Sequence, residues 1–414
     1  MSSRNNKPIY LDHSATTPVD PAVLKVMLPY FNKKFGNPSS VHNFGQEAQQ
    51  AIDQARTMVA DFLNCSTREI VFTSGATESD NLAITGVVNA LRKKTNKKLH
   101  LITSQVEHPA VLEPFHKLEE EGLEVTFLPV QRNGIVSLDD FKKAIKDNTV
   151  FVSLMYVNSE VGCLQPIREI GKIIEKVNEN RLKNWQRIKT DRTKDKPLPI
   201  YFHTDAVQAV NFFNCDTKHL QVDLFSMSGH KIYGPKGVGA LFVKAGVPIE
   251  AIQLGGHHER NKRSGTLNVT GIVGLAKAIE LLTKEKKETN NKKIAVLRNY
   301  FIEHICKIIP DVIINTDLSN STPCHANLSF IGAEGESILI ALNLAGIAVS
   351  TGSACASANL QASHVLLAMG IAEEIAHHTV RITLGKSNNL EEIKRVIKVL
   401  PPIIKRLRKM APSV

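Results

Sequence analysis

The sequence predicts an α/β protein whose main sheet is mostly parallel and covered by helices on both faces. Two observations carry this prediction. Between residues 70 and 244, short apolar, β-branched runs alternate with longer amphipathic segments, a pattern typical of parallel sheets. In the last third of the chain the strands become fewer and shorter, which indicates a smaller α+β unit. We therefore expect a large domain followed by a small one.

The expected strands of the large sheet are short apolar runs of the length usual for buried strands. In chain order they are IVFTSG (70–75), KLHLITS (98–104), LEVTFLPV (123–130), TVFVSLMYV (149–157), LPIYFHTDA (198–206), VDLFSMS (222–228) and VGALFVK (238–244). Between most of them lie segments that predict helices, such as ESDNLAITGVVNALRKK and LDDFKKAIKD. Because ligands of parallel sheets bind outside the carboxyl ends of the strands, we expect the site at the strand-to-helix turns.

The predicted strands become fewer and shorter after about residue 285, which marks the expected domain boundary. The later strands are HANLSFI, GIAVST and TVRITLG. The polar segment 178–199, NENRLKNWQRIKTDRTKDKPLP, is bracketed by apolar runs and predicts a surface excursion. We divide the chain into a segment 1–17 that joins the small domain, a large domain 18–285 and a small C-terminal domain 286–414.

Composition limits the classes of protein that fit. The chain has 414 residues, is 43% hydrophobic and carries a formal net charge of +11. No apolar run approaches the roughly 20 residues needed to span a bilayer, and the start MSSRNNKPIYLD lacks the apolar segment of a signal peptide. We expect a cytoplasmic protein with no membrane association. The cysteines are scattered without a CxxC pair, which disfavours a disulfide framework or a cysteine zinc site.

The positive charge raises the alternative of a nucleic-acid-binding protein or a basic scaffold. The basic residues fall in separate runs without the interleaved aromatic residues of a single-strand binding groove. Solvated helix faces and loops explain most of these runs. Nucleic acid is therefore disfavoured as a direct ligand.

The segment FSMSGHKIYGPKGVGAL (225–241) is the most informative part of the sequence. It puts Ser228, His230 and Lys231 at the end of a predicted strand. A lysine that is shielded from water favours its neutral amine, which forms Schiff bases with aldehyde cofactors. A surface lysine in a hairpin is the alternative.

Two further turns complement this lysine. In YFHTDAVQAV, His203 and Asp205 are two apart on a predicted strand and share one face. A buried carboxylate there holds a pyridine nitrogen protonated, as pyridoxal phosphate requires. In FTSGATESDN a strand turns into a helix whose free N–H groups suit a phosphate, although capping by Ser74 or Thr77 is an alternative.

Together these pieces resemble the cysteine desulfurases, pyridoxal-phosphate enzymes of fold type I in the class V aminotransferase group. The resemblance covers nearly the whole chain in matching order. Its motifs are IYLDHSATTPVDPAV, FGNPSSVHNFG, EIVFTSGATESDNLAI, EHPAVL, VNSEVG, HTDAVQ, SGHKIYGPKGVGAL, RSGTLN, GSACAS and VRITLG. The GSACAS form is similar to the group I branch. The chain departs from the family at Ser159, where a second asparagine is usual, and at His257, where glycine is common.

The resemblance implies a role for each matching residue. Lys231 would bind the cofactor covalently, Asp205 would pair with its ring nitrogen, and His108 would stack on the ring and move protons. The positions beside the phenolic oxygen are Gln208 and Ser159. The implied phosphate ligands are Ala76, Thr77, Ser228, His230 and, from the second subunit of a homodimer, Thr266. The implied substrate ligands are Asn37 and Arg381. The implied nucleophile is Cys355 of VSTGSACASAN.

The activity that the resemblance implies is conversion of L-cysteine to L-alanine, with the sulfur held as a persulfide on Cys355. An acceptor protein such as an iron–sulfur scaffold, or a thiolation reaction, would then receive it. The alternatives are a selenocysteine lyase and another class V aminotransferase, although transamination has no use for Cys355. Cys324, beside His325, is the nearest competing thiol. No metal is expected, because His257, His258 and Glu259 lack the spacing of a helical metal site.

Overall fold

The computed structural model describes residues 7–187, 196–352 and 361–410. Its strands are β1 (Ile9–Tyr10), β2 (Ile70–Thr73), β3 (His100–Ser104), β4 (Glu124–Leu128), β5 (Thr149–Ser153), β6 (Tyr201–Asp205), β7 (Leu224–Ser228), β8 (Gly239–Val243), β9 (Val312–Ile314), β10 (His325–Phe330), β11 (Ile347–Ala348) and β12 (Thr379–Thr383).

The helices up to the middle of the chain are α1 (Pro21–Met27), α2 (Pro29–Asn32), α3 (Asn43–Leu63), α4 (Ala76–Asn81), α5 (Val87–Arg92), α6 (Pro109–Glu120), α7 (Leu138–Ala144), α8 (Ile167–Arg187) and α9 (Thr217–Leu220). Those that follow are α10 (Val269–Glu280), α11 (Lys284–Ile308), α12 (Gly335–Leu344), α13 (His364–Ala368), α14 (Glu373–His377) and α15 (Leu390–Met410). A π turn at Leu82–Gly86 joins α4 to α5, and a 3₁₀ turn at Gly229–Lys231 follows β7.

The large sheet has seven strands in the order β2-β8-β7-β6-β5-β3-β4. Strand β8 runs antiparallel to β2 and β7, and the other neighbouring pairs are parallel. Each of the predicted runs contains one of these strands. The prediction of a mostly parallel seven-stranded sheet is therefore confirmed.

Helices cover both faces of this sheet, because successive strand residues point to opposite sides. Within β5, Phe151 belongs to the apolar cluster beneath α5 and α6, whereas Val152 belongs to the cluster beneath α3, α8 and α10. Leu224 and Phe225 of β7 divide in the same way. Both faces being buried explains why the strands read as continuous apolar runs instead of alternating ones.

The smaller unit contains an antiparallel sheet in the order β12-β10-β9 and a parallel pair, β1 with β11. Its apolar cluster joins Ile9 and Leu11 to side chains of α11, α12 and α15. Helix α11 starts with Thr283 as its N-cap, close to the expected boundary at 285. These contacts support the proposed division of the chain, which stays a prediction.

The polar segment 178–199 is only partly a loop. Helix α8 continues through it to Arg187, and Arg181 donates from Nη1 to the carbonyls of Thr149 at 2.7 Å and Leu198 at 3.3 Å. The described residues 178–187 of the expected surface excursion thus form a largely exposed helical end tied to the sheet. Within the described ranges, no helix is long and apolar enough to cross a membrane.

Candidate active site

A cavity of about 810 Å³ lies at the carboxyl ends of the large-sheet strands, between the sheet and the smaller unit. It gathers most of the predicted site residues: Ala76, Thr77, His108, Ser159, Asp205, Gln208, Ser228, His230, Lys231 and Arg381. A second cavity, of about 840 Å³, lies along α8 near the opposite ends of β6 and β7, and no predicted site residue lines it. The first cavity is the candidate active site because parallel sheets bind ligands at strand carboxyl ends.

Lys231 ends the 3₁₀ turn after β7 and lies inside the cavity, not on a surface hairpin. Its Nζ donates to the carbonyl oxygens of Ser14 at 2.6 Å and Ala15 at 2.8 Å. Asn211 donates from Nδ2 to the Lys231 carbonyl at 2.6 Å. These bonds hold the backbone and direct the amine into the cavity.

Asp205 is the last residue of β6 and is 8% exposed. Its Oδ1 accepts a hydrogen bond from the Val207 amide at 2.9 Å. Burial raises the pKa of Asp205, whereas the nearby His108 and Lys231 oppose this rise. A buried carboxylate of this kind is stabilised by a cationic partner, such as a protonated ring nitrogen.

A buried polar group backs Asp205. His203, two residues earlier, contacts Ser153 Oγ through Nδ1 at 2.8 Å and Ser226 Oγ through Nε2 at 2.9 Å. Its Nε2 also lies 3.6 Å from Oδ1 of the buried Asp80. Burial lowers the pKa of His203 to about 3 and raises that of Asp80. The histidine is therefore neutral at pH 7.

His108 caps α6, its Nδ1 accepting from the Ala110 amide at 3.1 Å. In the neutral ring the proton therefore lies on Nε2. Burial lowers the pKa of His108, which favours this neutral form. The preceding Glu107 is buried, accepts from Ser104 Oγ at 2.6 Å and from the Met155 amide at 3.0 Å, and has its pKa raised by burial to about 8.

The start of α4 forms the expected phosphate cradle. Its N-cap is Gly75, and no side chain accepts a cap hydrogen bond there, so neither Ser74 nor Thr77 caps the helix. Ser228 and His230 line the same part of the cavity. Free backbone N–H groups at a helix start suit a phosphate. The donors thus fit the cofactor's phosphate group.

Arg381 of β12 is 4% exposed and lies opposite the cradle. Its Nη2 donates to Asp12 Oδ1 at 2.9 Å and its Nη1 to the Ser159 carbonyl at 3.1 Å. Its buried Nε has no acceptor within the described part of the chain. A buried donor without an acceptor is rare in native proteins, and a ligand carboxylate would satisfy it.

Ser159 and Gln208 contribute to the cavity wall. The Ser159 carbonyl accepts from Ser14 Oγ at 2.7 Å and is 3.2 Å from His325 Nε2. Gln208 donates from Nε2 to the Ser14 carbonyl at 2.9 Å. Both residues therefore tie the N-terminal segment to the cavity.

Two predicted residues, Asn37 and Thr266, stand apart from this group. Asn37 and Thr266 are exposed and do not line the cavity. Their loops are neighbours, since Ser39 Oγ lies 3.4 Å from His258 Nε2. Cys355 lies outside the described residues.

Contacts with neighbouring residues account for the competing thiol Cys324 and for Glu259, which follows the histidine pair. Cys324 Sγ lies 3.2 Å from His325 Nδ1, but burial raises the pKa of the thiol to about 11. A thiol of this kind is a poor nucleophile at neutral pH. Glu259 forms a buried ion pair with Arg56. Within the described ranges, no group of His, Cys, Asp and Glu residues suits a metal ion.

Sequence reasoning missed several cavity residues: Ser14, Asp80, Glu107, Glu160 and His364. Glu107 adjoins His108 in EHPAV and Asp80 lies in the turn motif ATESDN, so their motifs had already been singled out. Ser14 acts through its backbone carbonyl, which no residue type reveals. Glu160 and His364 enter through contacts between the large and small units.

Known proteins resemble this chain over nearly its whole length. The Aminotransferase class-V family model matches residues 9–182 and 184–396. The protein named cysteine desulfurase IscS from Clostridium botulinum is 47% identical over 409 residues, covering 98% of this chain and 97% of the relative.

Solved structures share the fold of this chain over nearly its whole length. A NifS-like protein superposes with a TM-score of 0.84 at 35% identity, covering 97% of this chain and 99% of the other. A structure described as SspA in complex with cysteine has a TM-score of 0.77 at 33% identity, covering 92% and 100%. The predicted fold type I architecture is therefore confirmed.

Proposed function

Since the chain belongs to the cysteine desulfurases of the class V aminotransferase family, we propose that its cavity binds pyridoxal phosphate and L-cysteine and delivers the substrate's sulfur to Cys355. One observation carries this proposal. The Lys231 amine, the buried Asp205 carboxyl, the uncapped start of α4 and the Arg381 side chain all line a single cavity.

The residues present fit the cofactor. Lys231 would hold its aldehyde carbon, Asp205 its ring nitrogen, and the start of α4 with Ser228 its phosphate. Gln208 and Ser159 would lie beside its phenolic oxygen. When bound, pyridoxal phosphate supplies an electron sink for negative charge at the substrate's α-carbon.

The protein's own groups orient the substrate and move its protons. The guanidinium of Arg381, fixed by Asp12, would bind the substrate carboxylate. Lys231 Nζ, held near two backbone carbonyls, would take the α-proton. His108 would return a proton through Nε2, which is free because Nδ1 accepts from Ala110.

Sulfur transfer balances without an external oxidant. The Cys355 thiolate attacks the sulfur of L-cysteine, an S–S bond forms and the substrate's C–S bond breaks. The electron pair of the broken bond stays with the carbon skeleton, which is protonated and leaves as alanine. The thiol is oxidised to a persulfide while the carbon is reduced.

The test is to load the purified protein with pyridoxal phosphate, add L-cysteine, and quantify alanine, the persulfide on the protein and the sulfide released by an added reductant. Lys231→Ala should lose more than about 100-fold in alanine formation. Cys355→Ala should lose persulfide transfer to a comparable extent. The matched control is Cys306→Ser, which changes an exposed thiol on α11 and should behave as wild type. Full sulfur transfer by Cys355→Ala would overturn the mechanism, and undiminished cleavage of L-selenocysteine by that variant would favour the selenocysteine lyase alternative.

The predicted homodimer has support from one exposed surface. Large apolar side chains on or near α1, α2 and the start of α3 are exposed: Leu24, Leu28, Phe31, Phe35 and Phe44. The rings of Phe35 and Phe44 stack with centroids 5.6 Å apart. Apolar patches of this kind mark interfaces. Asn37 lies within this stretch and the Thr266 loop adjoins it, which fits Thr266 reaching the phosphate site of a second copy.

Mixing two defective variants tests this arrangement. Thr266→Ala and Lys231→Ala should each be weak at limiting pyridoxal phosphate. If Thr266 acts across the dimer, subunit exchange rebuilds one complete site per mixed dimer and activity returns. No recovery after verified exchange would contradict it.

The sulfur acceptor and the location stay proposals. A protein such as an iron–sulfur scaffold would accept the persulfide sulfur, and the enzyme would work in the cytoplasm. Incubating the persulfide form with a purified scaffold protein and following sulfur onto it by mass spectrometry tests the first point.

A further inference from the structure

Glu160 is a cavity residue that the proposed mechanism does not use. It is 6% exposed, and its backbone is fixed from two sides. Its amide donates to Asn158 Oδ1 at 2.8 Å, and its carbonyl accepts from Nδ2 of Asn327, in β10, at 3.3 Å. The carboxyl group therefore projects from a rigid base between the large and small units.

One oxygen of this carboxyl meets the chain just after residues 353–360. Ser363 Oγ donates to Glu160 Oε2 at 2.5 Å. The same hydroxyl caps α13 by accepting from the Leu366 amide at 3.3 Å. The start of α13 is thus tied to Glu160 through a buried side chain.

The same oxygen meets the chain just before residues 353–360. A Cβ added at Gly352 would collide with Glu160 Oε2 and lie 3.2 Å from Cδ of that glutamate. The added Cβ would also be 3.4 Å from Ser363 Cβ. A larger residue at position 352 would therefore push the Glu160 carboxyl away from its present position. The two flanks therefore lie together at one carboxylate oxygen.

We propose that Glu160 is a positioning residue that fixes both flanks, Gly352 and Ser363, of the segment carrying Cys355. The inference rests on the proposed function of that thiol. A short segment whose ends are fixed explores fewer arrangements, which raises the effective concentration of its thiol at the substrate. Glu160 then serves the sulfur-transfer step and leaves the steps at Lys231 unaffected.

The groups facing the carboxyl are Ser363 and His364 of α13 and Arg381 of β12. Burial raises the pKa of Glu160, and these three groups oppose the rise. Because the oxygen accepts the Ser363 hydrogen bond in either charge state, the anchor needs an acceptor oxygen and not a charge. Glu160→Gln should therefore retain most of the anchoring.

The experiment uses holoenzyme variants Glu160→Ala, Glu160→Gln, Gly352→Ala and Ser363→Ala. The control is Ser337→Ala, which removes an exposed hydrogen bond of the same type, from Ser337 Oγ to Glu334 Oε2 at 2.6 Å, at the start of α12. We expect single-turnover persulfide formation on Cys355 to fall about 10- to 100-fold in Glu160→Ala and Gly352→Ala. The cofactor absorbance and unfolding temperature should stay close to wild type, and Glu160→Gln should recover most of the rate.

Hydrogen–deuterium exchange supplies a readout that needs no turnover. The amides of Ser350, which donates to the Arg381 carbonyl, and of Leu366, which donates to Ser363 Oγ, should exchange at least about tenfold faster in Glu160→Ala, while those of β10 stay unchanged. Unchanged exchange at both flanks would overturn the proposal. If Glu160→Ala does not fold, Gly352→Ala and Ser363→Ala carry the same test.

The double variant Glu160→Ala/Gly352→Ala distinguishes a contact shared by the two residues from two independent effects. Since Glu160→Ala removes the atom that an alanine at 352 would strike, the double variant should be no slower than Glu160→Ala alone. Additive losses would contradict the shared contact. Failure of wild type to form alanine would refute the proposed function instead, and the exchange result would still decide whether Glu160 holds the two flanks.

Discussion

Asp205, Ser228 and Lys231 form one wall of the cavity, the sheet wall, whereas Gly352, Ser363 and Arg381 form the facing wall. The sheet-wall residues come from the ends of adjacent strands and the turn after them. The facing-wall residues come from separate elements of the smaller unit and are held by Glu160 and Asp12.

This difference separates two tasks. The sheet wall places fixed charges and donors where a cofactor would lie, so its variants should change the rate of chemistry. The facing wall would align the substrate carboxylate and the thiol-bearing segment in the proposed function, so its variants should change substrate affinity or sulfur transfer.

The largest effect on stability should come from a cavity-forming substitution in either hydrophobic core. Phe225 lies in the sheet cluster and Phe330 in the cluster of the smaller unit, both fully buried. Phe225→Ala and Phe330→Ala should each lose about 3–5 kcal/mol of unfolding free energy. Urea unfolding followed by circular dichroism measures this. For Phe330→Ala we expect the smaller unit to unfold first. A single coincident transition would show that the large sheet and the smaller unit unfold together. The exposed Leu344→Ala control should change stability by less than about 0.5 kcal/mol.

Next in size is the sheet-wall variant Asp205→Asn. It keeps the shape but removes the charge that would pair with the ring nitrogen. We expect kcat to fall about 100- to 1000-fold with KM for L-cysteine nearly unchanged. Steady-state alanine formation at saturating cofactor measures both constants, and a change confined to KM would refute the assigned role.

A facing-wall variant should show the opposite pattern. Arg381→Lys keeps a charge but loses the Nε donor and the fork that bonds Asp12 and Ser159. KM for L-cysteine should rise about 10- to 100-fold while kcat changes less. Wild type and variant should differ little in their activity on cysteamine, which lacks the carboxylate. Equal losses of activity on L-cysteine and cysteamine would contradict a role for Arg381 in binding the substrate carboxylate.

The smallest effect concerns pH and Glu107. Burial raises its folded-state pKa to about 8, above the ordinary value of 4.5. The folded state therefore binds the proton more tightly, and this contribution to stability is full below pH 4.5 and lost as pH rises to about 8. Glu107→Gln should become progressively more stable relative to wild type across that range. Parallel stability curves from urea unfolding would contradict it.

Sequence reasoning succeeded best where function depends on strand ends. Asp205 and Lys231 follow apolar runs whose length and spacing define the sheet, so their convergence follows from topology. It failed where a contact joins distant parts of the chain. The carbonyls of Ser14 and Ala15 and the grip of Glu160 on Ser363 depend on how the smaller unit docks, and no local pattern encodes that docking. Strand β9 was missed because its three residues carry little signal.

The pairing of β1 with β11 has a consequence for synthesis. Ile9 lies beside Ile347, and Leu11 is buried in the same cluster as Ile393 and Leu400. On the ribosome, β1 emerges long before its sheet partner β11 and before α15, which completes the same cluster. The large sheet can form in the meantime, but the smaller unit must wait for these later elements, and until then β1 needs protection from unwanted pairing.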